Sequence, residues 1–227
     1  FLHRTDFRDC ALVGSAPNLL GKGLGPEIDD HNLVLRINRL PTNAFFADYG
    51  RRTDIFFGNC LCGYKGPGLM VTGNGTRTIY SSACKGGNST CPFRAAIFRC
   101  NNTWGRWRHK PLPIAMLQSN LKSAVGALGI HKTLTTGFYA FVVASLLCQT
   151  VTMYGFGGNS TADGHASEDK HGLQWEHAIM RQVVQGVFID NMWTCNSKRP
   201  NHCSTLQLVR ERFHEMKGHI IWPLGDA

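Results

Sequence analysis

A chain of 227 residues with 43% hydrophobic content can bury a substantial core, and two domains would each be small, so residues 1–227 read as one domain. The net charge of +9 suits nucleic acid, an anionic surface or an anionic small substrate, yet the basic residues are scattered apart from Arg51/Arg52 and Arg106/Arg108/His109/Lys110, which weighs against nucleic acid. No run approaches the roughly 20 apolar residues that span a bilayer, and the opening FLHRTDF is neither a signal sequence nor a methionine start, so the expectation is a soluble piece whose membrane anchor lies outside it.

Residues 10–14 (CALVG) form a short apolar run stopped by a turn, and residues 32–37 (NLVLRI) and 54–57 (DIFF) follow; all three read as buried strands. Residues 58–113 read as an irregular, glycosylated surface insertion, because three N-x-[ST] sequons, at Asn74, Asn88 and Asn101, fall in a stretch rich in Gly, Asn, Ser and Thr. Beyond it the patterns predict a strand at 114–117, a helix around 119–128, an apolar helix over 136–148 and a strand ending at Tyr154. Helices from His171 to about 187 and around 204–217, then a last strand GHIIW, complete the chain. Strands alternating with helices imply an α/β fold with a mostly parallel sheet.

Nine cysteines are many for a cytosolic domain of this size, and none stands in a C-x-x-C pair of the kind structural zinc sites use. With a fourth sequon at Asn159, they point to an oxidising, glycosylating compartment, the secretory pathway. Cys195 and Cys203, across a Pro-containing loop, form a candidate pair.

Gly14-Ser15-Ala16-Pro17-Asn18 directly follows the first strand, where an α/β sheet presents backbone N–H groups to a phosphate; the alternative is a simple tight turn. A dinucleotide fold would need G-x-G-x-x-G and an acidic residue about 20 positions on. The second strand instead ends in Arg36-Ile37-Asn38, which suits a more anionic ligand than NAD.

The segment from Cys10 to Asp54 closely resembles the large sialyl motif of the eukaryotic-type sialyltransferase family, through Cys10, Val13-Gly14, Asn18-Leu19, Gly25, Ile28-Asp29, Arg36-x-Asn38, Pro41-Thr42 and Gly50 to Thr53. Leu134 to Phe156 is similar to the small motif, with Thr136-Gly137, Cys148 and Tyr154-Gly155-Phe156, and His171-Gly-Leu-Gln-Trp-Glu176 to the very short motif. The family usually has Asn where Ser15 stands, and its third motif survives only as Gly164-His165-Ala166-Ser167-Glu168, without the aromatic residues.

The resemblance implies a Rossmann-like, GT-A-like domain of a type II Golgi enzyme that transfers sialic acid from CMP-sialic acid to a glycan hydroxyl with inversion. It implies a disulfide between Cys10 and Cys148. The residues expected at the nucleotide are Gly14, Ser15, Asn18, Asn38, Thr136, Gly137, Tyr154 and Gly155. His165 takes the third motif's role as a phosphate partner, and His171 is the candidate general base, since a His in the first turn of a helix is held neutral by the macrodipole. Glu176 lies about 140° round the helix from His171 and reads as structural, bracing groups of the first motif. Trp175, Ile179, Val183 and Val187 recur at helical spacing and read as core.

No Asp-x-Asp is present, the pair that holds a divalent metal in many transferases using nucleoside diphosphate sugars. A CMP leaving group carries less charge and can be stabilised by N–H groups, hydroxyls and a His, so neither metal nor other cofactor is expected. A CMP-Kdo-dependent transferase and a catalytically inactive glycan-binding relative are the competing readings.

Overall fold

The computed structural model describes residues 7–37, 41, 43–59, 69–71, 77–79, 95–100, 103–104, 135–157, 173–187 and 200–223. Its strands are β1 (Phe7–Val13), β2 (Leu33–Ile37), β3 (Ile55–Asn59), β4 (Leu69–Val71), β5 (Arg77–Ile79), β6 (Ala95–Cys100), β7 (Thr103–Trp104), β8 (Cys148–Tyr154) and β9 (Ile220–Ile221). The helices are α1 (Gly25–Asp30), α2 (Phe46–Tyr49), α3 (Thr136–Leu147), α4 (Leu173–Gln185) and α5 (Pro200–Glu215). Seven strands form one sheet in the order β7-β6-β3-β2-β1-β8-β9, parallel except at β6 and β7, and β4 and β5 pair apart from it. The expected α/β architecture is therefore present. The chain runs outward from β1 through β2 and β3 on one side and through β8 and β9 on the other, so the order reverses between β1 and β8.

Alternation along the strands gives the sheet two apolar faces. Cys10, Leu12, Leu33, Leu35, Val151 and Met153 point to one face and share a core with Phe138, Phe141, Ile179 and Phe213 of the long helices. Ala11, Val13, Val34 and Tyr154 point to the other, where Leu19, Ile28 and Tyr49 cover them. Helix α3 is buried along nearly its whole length, from Phe138 to Leu146, which is why its sequence is apolar all round. Its C-terminal carbonyls, the negative end of its dipole, are held by Arg212 of α5: Nε donates to Ser145 O at 2.7 Å and a terminal N–H to Cys148 O at 2.6 Å.

Several sequence expectations are revised. On α4 the buried stripe is Glu176, Ile179, Met180 and Val183, while Trp175 is 62% and Val187 54% exposed. The i, i+3, i+4, i+7 stripe wins over the i, i+4, i+8 reading because 3.6 residues per turn carries a strict four-residue repeat off the buried face. Within residues 58–113, β6 pairs in parallel with β3 from Ile55 opposite Ala95 to Asn59 opposite Arg99. That strand was hidden by its neighbourhood of Gly, Asn and sequons. Arg36 is 1% exposed and turned inward, Nε donating to Arg52 O at 2.8 Å and Thr53 Oγ1 at 3.0 Å. Burial lowers its pKa to about 10 against the opposing pull of Asp29 and Asp54. The predicted strand at 114–117, the helix at 119–128, Cys195 and the four sequon asparagines lie outside the described residues.

Cys10 and Cys148 are joined by a disulfide, both fully buried. It ties β1 to the point where α3 ends and β8 begins, so it staples neighbouring strands of the sheet. With a separation of 138 residues, the chain-entropy model gives on the order of 5 kcal/mol. Cys10→Ser or Cys148→Ser should lower the melting temperature by about 10 °C or more in a thermal scan, and non-reducing peptide mapping of the parent should recover the two as one cross-linked peptide.

Candidate nucleotide crevice and its relatives

The crevice outside the carboxyl ends of β1 and β8 is where the strand order reverses, the place at which open parallel sheets bind ligands. Here the chain after β1 and the chain after β8 touch. Gly14 N donates to Tyr154 O at 2.7 Å and Ala16 N to Gly155 O at 2.9 Å, so strand pairing continues into the turns. A Cβ on Gly14 would collide with the carbonyl oxygen of Gly155, and Gly155 has φ +65°, a left-handed conformation that other residues adopt only at a cost. Tyr49 Oη donates to Ala16 O at 2.7 Å and holds the turn from the other side.

The second sequence block closes the crevice through Phe156. Its ring would meet a Cβ on Gly14 at 3.3 Å and one on Gly137 at 3.6 Å, so it sits between the first turn and the start of α3. Asn18 Nδ2 donates to Phe156 O at 3.0 Å. Thr135 caps α3, its Oγ1 accepting from Phe138 N at 3.0 Å. Glu176 of α4, 1% exposed, accepts from Thr135 N at 2.6 Å and from the Thr135 hydroxyl. Its carboxylate therefore sits at the positive end of α3, which offsets the cost of burying it. Glu176 is structural, as expected, but it braces the second sequence block rather than the first.

Two buried acceptors are left over. Among the described residues, Asn18 Oδ1, Thr136 Oγ1, His31 Nδ1 and Arg36 Nη2 have no hydrogen-bond partner, but His31 Nδ1 lies 2.7 Å from Asp9 Oδ2 and Arg36 Nη2 3.6 Å from Asp29 Oδ1, which leaves the first two. A buried acceptor without a donor costs about 1–3 kcal/mol, and helical geometry also leaves the amides of Thr136 and Gly137 without intrahelical acceptors. The crevice thus offers acceptors and amide donors together, which suits a ligand with hydroxyls and an anionic group.

The family model described as glycosyltransferase family 29 (sialyltransferase) matches residues 2–62. CMP-N-acetylneuraminate-beta-galactosamide-alpha-2,3-sialyltransferase 2 of Mus musculus is 48% identical over 50 residues, 22% of this chain and 14% of that protein. The alpha-2,3-sialyltransferase 1 of Sus scrofa is 26% identical over 175 residues, 70% of this chain and 46% of that protein. Over these stretches the chain is similar to sialyltransferases. The crystal structure of a mammalian sialyltransferase in complex with Gal-beta-1-3GalNAc-ortho-nitrophenol aligns at TM-score 0.47 and 20% identity, covering 78% of this chain and 66% of that one. The chain spans less than half the length of these two curated relatives.

Of the residues expected at the nucleotide of a sialyltransferase, Gly14, Ser15, Asn18, Thr136, Gly137 and Gly155 belong to the segments that meet at the crevice. Tyr154 contributes only backbone. Its ring is 1% exposed on the opposite face of the sheet, where Oη donates to Glu27 Oε1 at 2.6 Å and lies 2.9 Å from His31 Nε2. Burial, then the bond to Glu27, raises the phenol pKa, so Tyr154 stays neutral. A tyrosine at the end of a strand reads equally well for either face, and only the register with Val13 decides which it takes. Asn38, His165 and His171 lie outside the described residues. Sequence reasoning passed over Thr135, which caps α3, and Trp222, whose Nε1 donates to Phe156 O at 3.2 Å; a Thr just ahead of an apolar helical run signals the first, and nothing local signals the second.

Gly14→Ala should destabilise the protein by about 2 kcal/mol or more, because the methyl group must displace backbone rather than a side chain. Gly155→Ala should cost about 1–2 kcal/mol from its left-handed backbone. Urea denaturation read by circular dichroism measures both.

Proposed function

We propose that this chain is catalytic-domain sequence of an inverting, metal-independent sialyltransferase that moves sialic acid from CMP-sialic acid to a glycan hydroxyl in the Golgi lumen. The observation that carries the reading is the crevice at the switch point, where two buried acceptors, Asn18 Oδ1 and Thr136 Oγ1, stand beside the start of α3 and the Gly14–Gly155 contact. A nucleoside monophosphate answers both needs: hydroxyls and an amine for the acceptors, and a phosphate for the helix amides.

In the reaction, the acceptor oxygen bonds to the anomeric carbon from the face opposite CMP while the bond from that carbon to the phosphate oxygen breaks. The hydroxyl proton passes to His171, and CMP leaves with its phosphate charge stabilised by backbone amides and His165. Asn38 completes the nucleotide contacts. Metal independence rests on the absence of Asp-x-Asp from the sequence and on the single phosphate of the leaving group.

Transfer assays with CMP-sialic acid and CMP-Kdo, each with several glycan acceptors, test the donor. Sialic acid should be transferred, with activity undiminished in EDTA. Preference for CMP-Kdo would change the donor, failure with every CMP-sugar would leave a glycan-binding relative, and loss in EDTA restored by manganese would overturn the leaving-group argument. His171→Ala should cut transfer by ~10²–10⁴ with CMP affinity nearly intact, as expected for loss of a general base. His165→Ala should weaken donor binding and turnover together; if the two phenotypes are exchanged, so are the roles.

A further inference from the structure

Asn18 offers its acceptor to the crevice only if its amide is held one way round, and the structure shows what holds it. Nδ2 donates to Phe156 O at 3.0 Å, which leaves Oδ1 at the other end of the amide, buried and without a partner among the described residues. Turning the amide over would set Oδ1 against the carbonyl oxygen of Phe156, acceptor against acceptor. The orientation is therefore as firm as that carbonyl.

The second lone pair of Phe156 O is taken by a residue from the far end of the chain. Trp222 Nε1 donates to it at 3.2 Å. The indole stands edge-on to the Phe156 ring, with centroids 6.4 Å apart at 82°, and to the His177 ring of α4, 6.0 Å apart at 80°. Burial, then the nearby Arg181, lowers the pKa of His177. Two donors on one carbonyl fix the peptide plane between Phe156 and Gly157, and Gly157, at φ +134°, lets the chain turn off immediately afterwards.

The geometry points to Trp222 as a positioning residue for nucleotide recognition: its N–H clamps the Phe156 carbonyl, the carbonyl orients Asn18, and Asn18 Oδ1 accepts a hydrogen bond from a hydroxyl or amine of the nucleotide. Trp222 itself makes no ligand contact. This rests on the nucleotide reading of the crevice and adds the residue that enforces it.

The test is CMP affinity by calorimetry, with donor and acceptor KM, in the full-length enzyme and in Trp222→Phe, Asn18→Ala and the double variant. Trp222→Phe keeps an apolar ring and removes the N–H. It should weaken CMP roughly 3- to 10-fold, the effect of one lost hydrogen bond, and raise donor KM while kcat and acceptor KM stay within about twofold. In the Asn18→Ala background the same change should add less than about twofold, because the two act in series. If Trp222→Phe lowers the melting temperature, replacing the indole by benzothiophene, of the same shape without the N–H, gives the same reading. Unchanged CMP affinity, or equal weakening with and without Asn18, overturns the positioning role alone. An unmodified enzyme that neither binds CMP nor uses a CMP-sugar overturns the nucleotide reading and the Trp222 role with it.

Discussion

The contact between the peptide groups of Gly14 and Gly155 is the constraint from which the site follows. Parallel strands normally part company where their ladder ends, each turning to its own helix. Here the hydrogen bonds from Gly14 N to Tyr154 O and from Ala16 N to Gly155 O carry the pairing one step beyond β1 and β8, with no room for a side chain on Gly14. Because the two chains leave the sheet together, Asn18 reaches the carbonyl of Phe156 and the Phe156 ring reaches Gly137. Residues 138 positions apart in sequence thereby become one surface.

Around that contact the fold spends its buried polar groups on orientation. Glu176 reaches from α4 to Thr135, the cap of α3, and Arg212 reaches from α5 to its last carbonyls, so both poles of one apolar helix are met by a charge of the opposite sign. On the other face Asp29 accepts from the amides of Arg51 and Arg52, and Asp54 accepts from Val34 N while it pairs with Arg52 at 2.8 Å. These pairs hold the loop between α2 and β3 against α1 and β2.

Tyr154 shows how a residue beside the crevice can serve the opposite face of the sheet. Its hydroxyl joins Glu27 to His31, and His31 Nδ1 lies 2.7 Å from Asp9 Oδ2, so a polar chain crosses the face covered by α1. That chain holds the end of β8 in place. The crevice receives only the backbone that this anchoring positions.

The sequence by itself determined a great deal. Periodicity marked β1, β2, β3, α3, β8, α4 and α5 to within a few residues, and alternation of strand and helix implied the parallel sheet. The Gly-rich turn after the first strand marked the crevice, and the motif resemblance paired Cys10 with Cys148. These features are local, or recur as local patterns, so they can be read along one dimension. Only the tertiary structure decided the face that Tyr154 takes, the inward turn of Arg36, the exposure of Trp175 and the addition of β6 to the sheet. The convergence of Trp222 and Asn18 on one carbonyl belongs with these. Each depends on strand register or on hydrogen bonds between residues far apart in the chain, and a hydrogen-bond partner chosen across such a distance leaves no period, spacing or composition in the sequence to announce it.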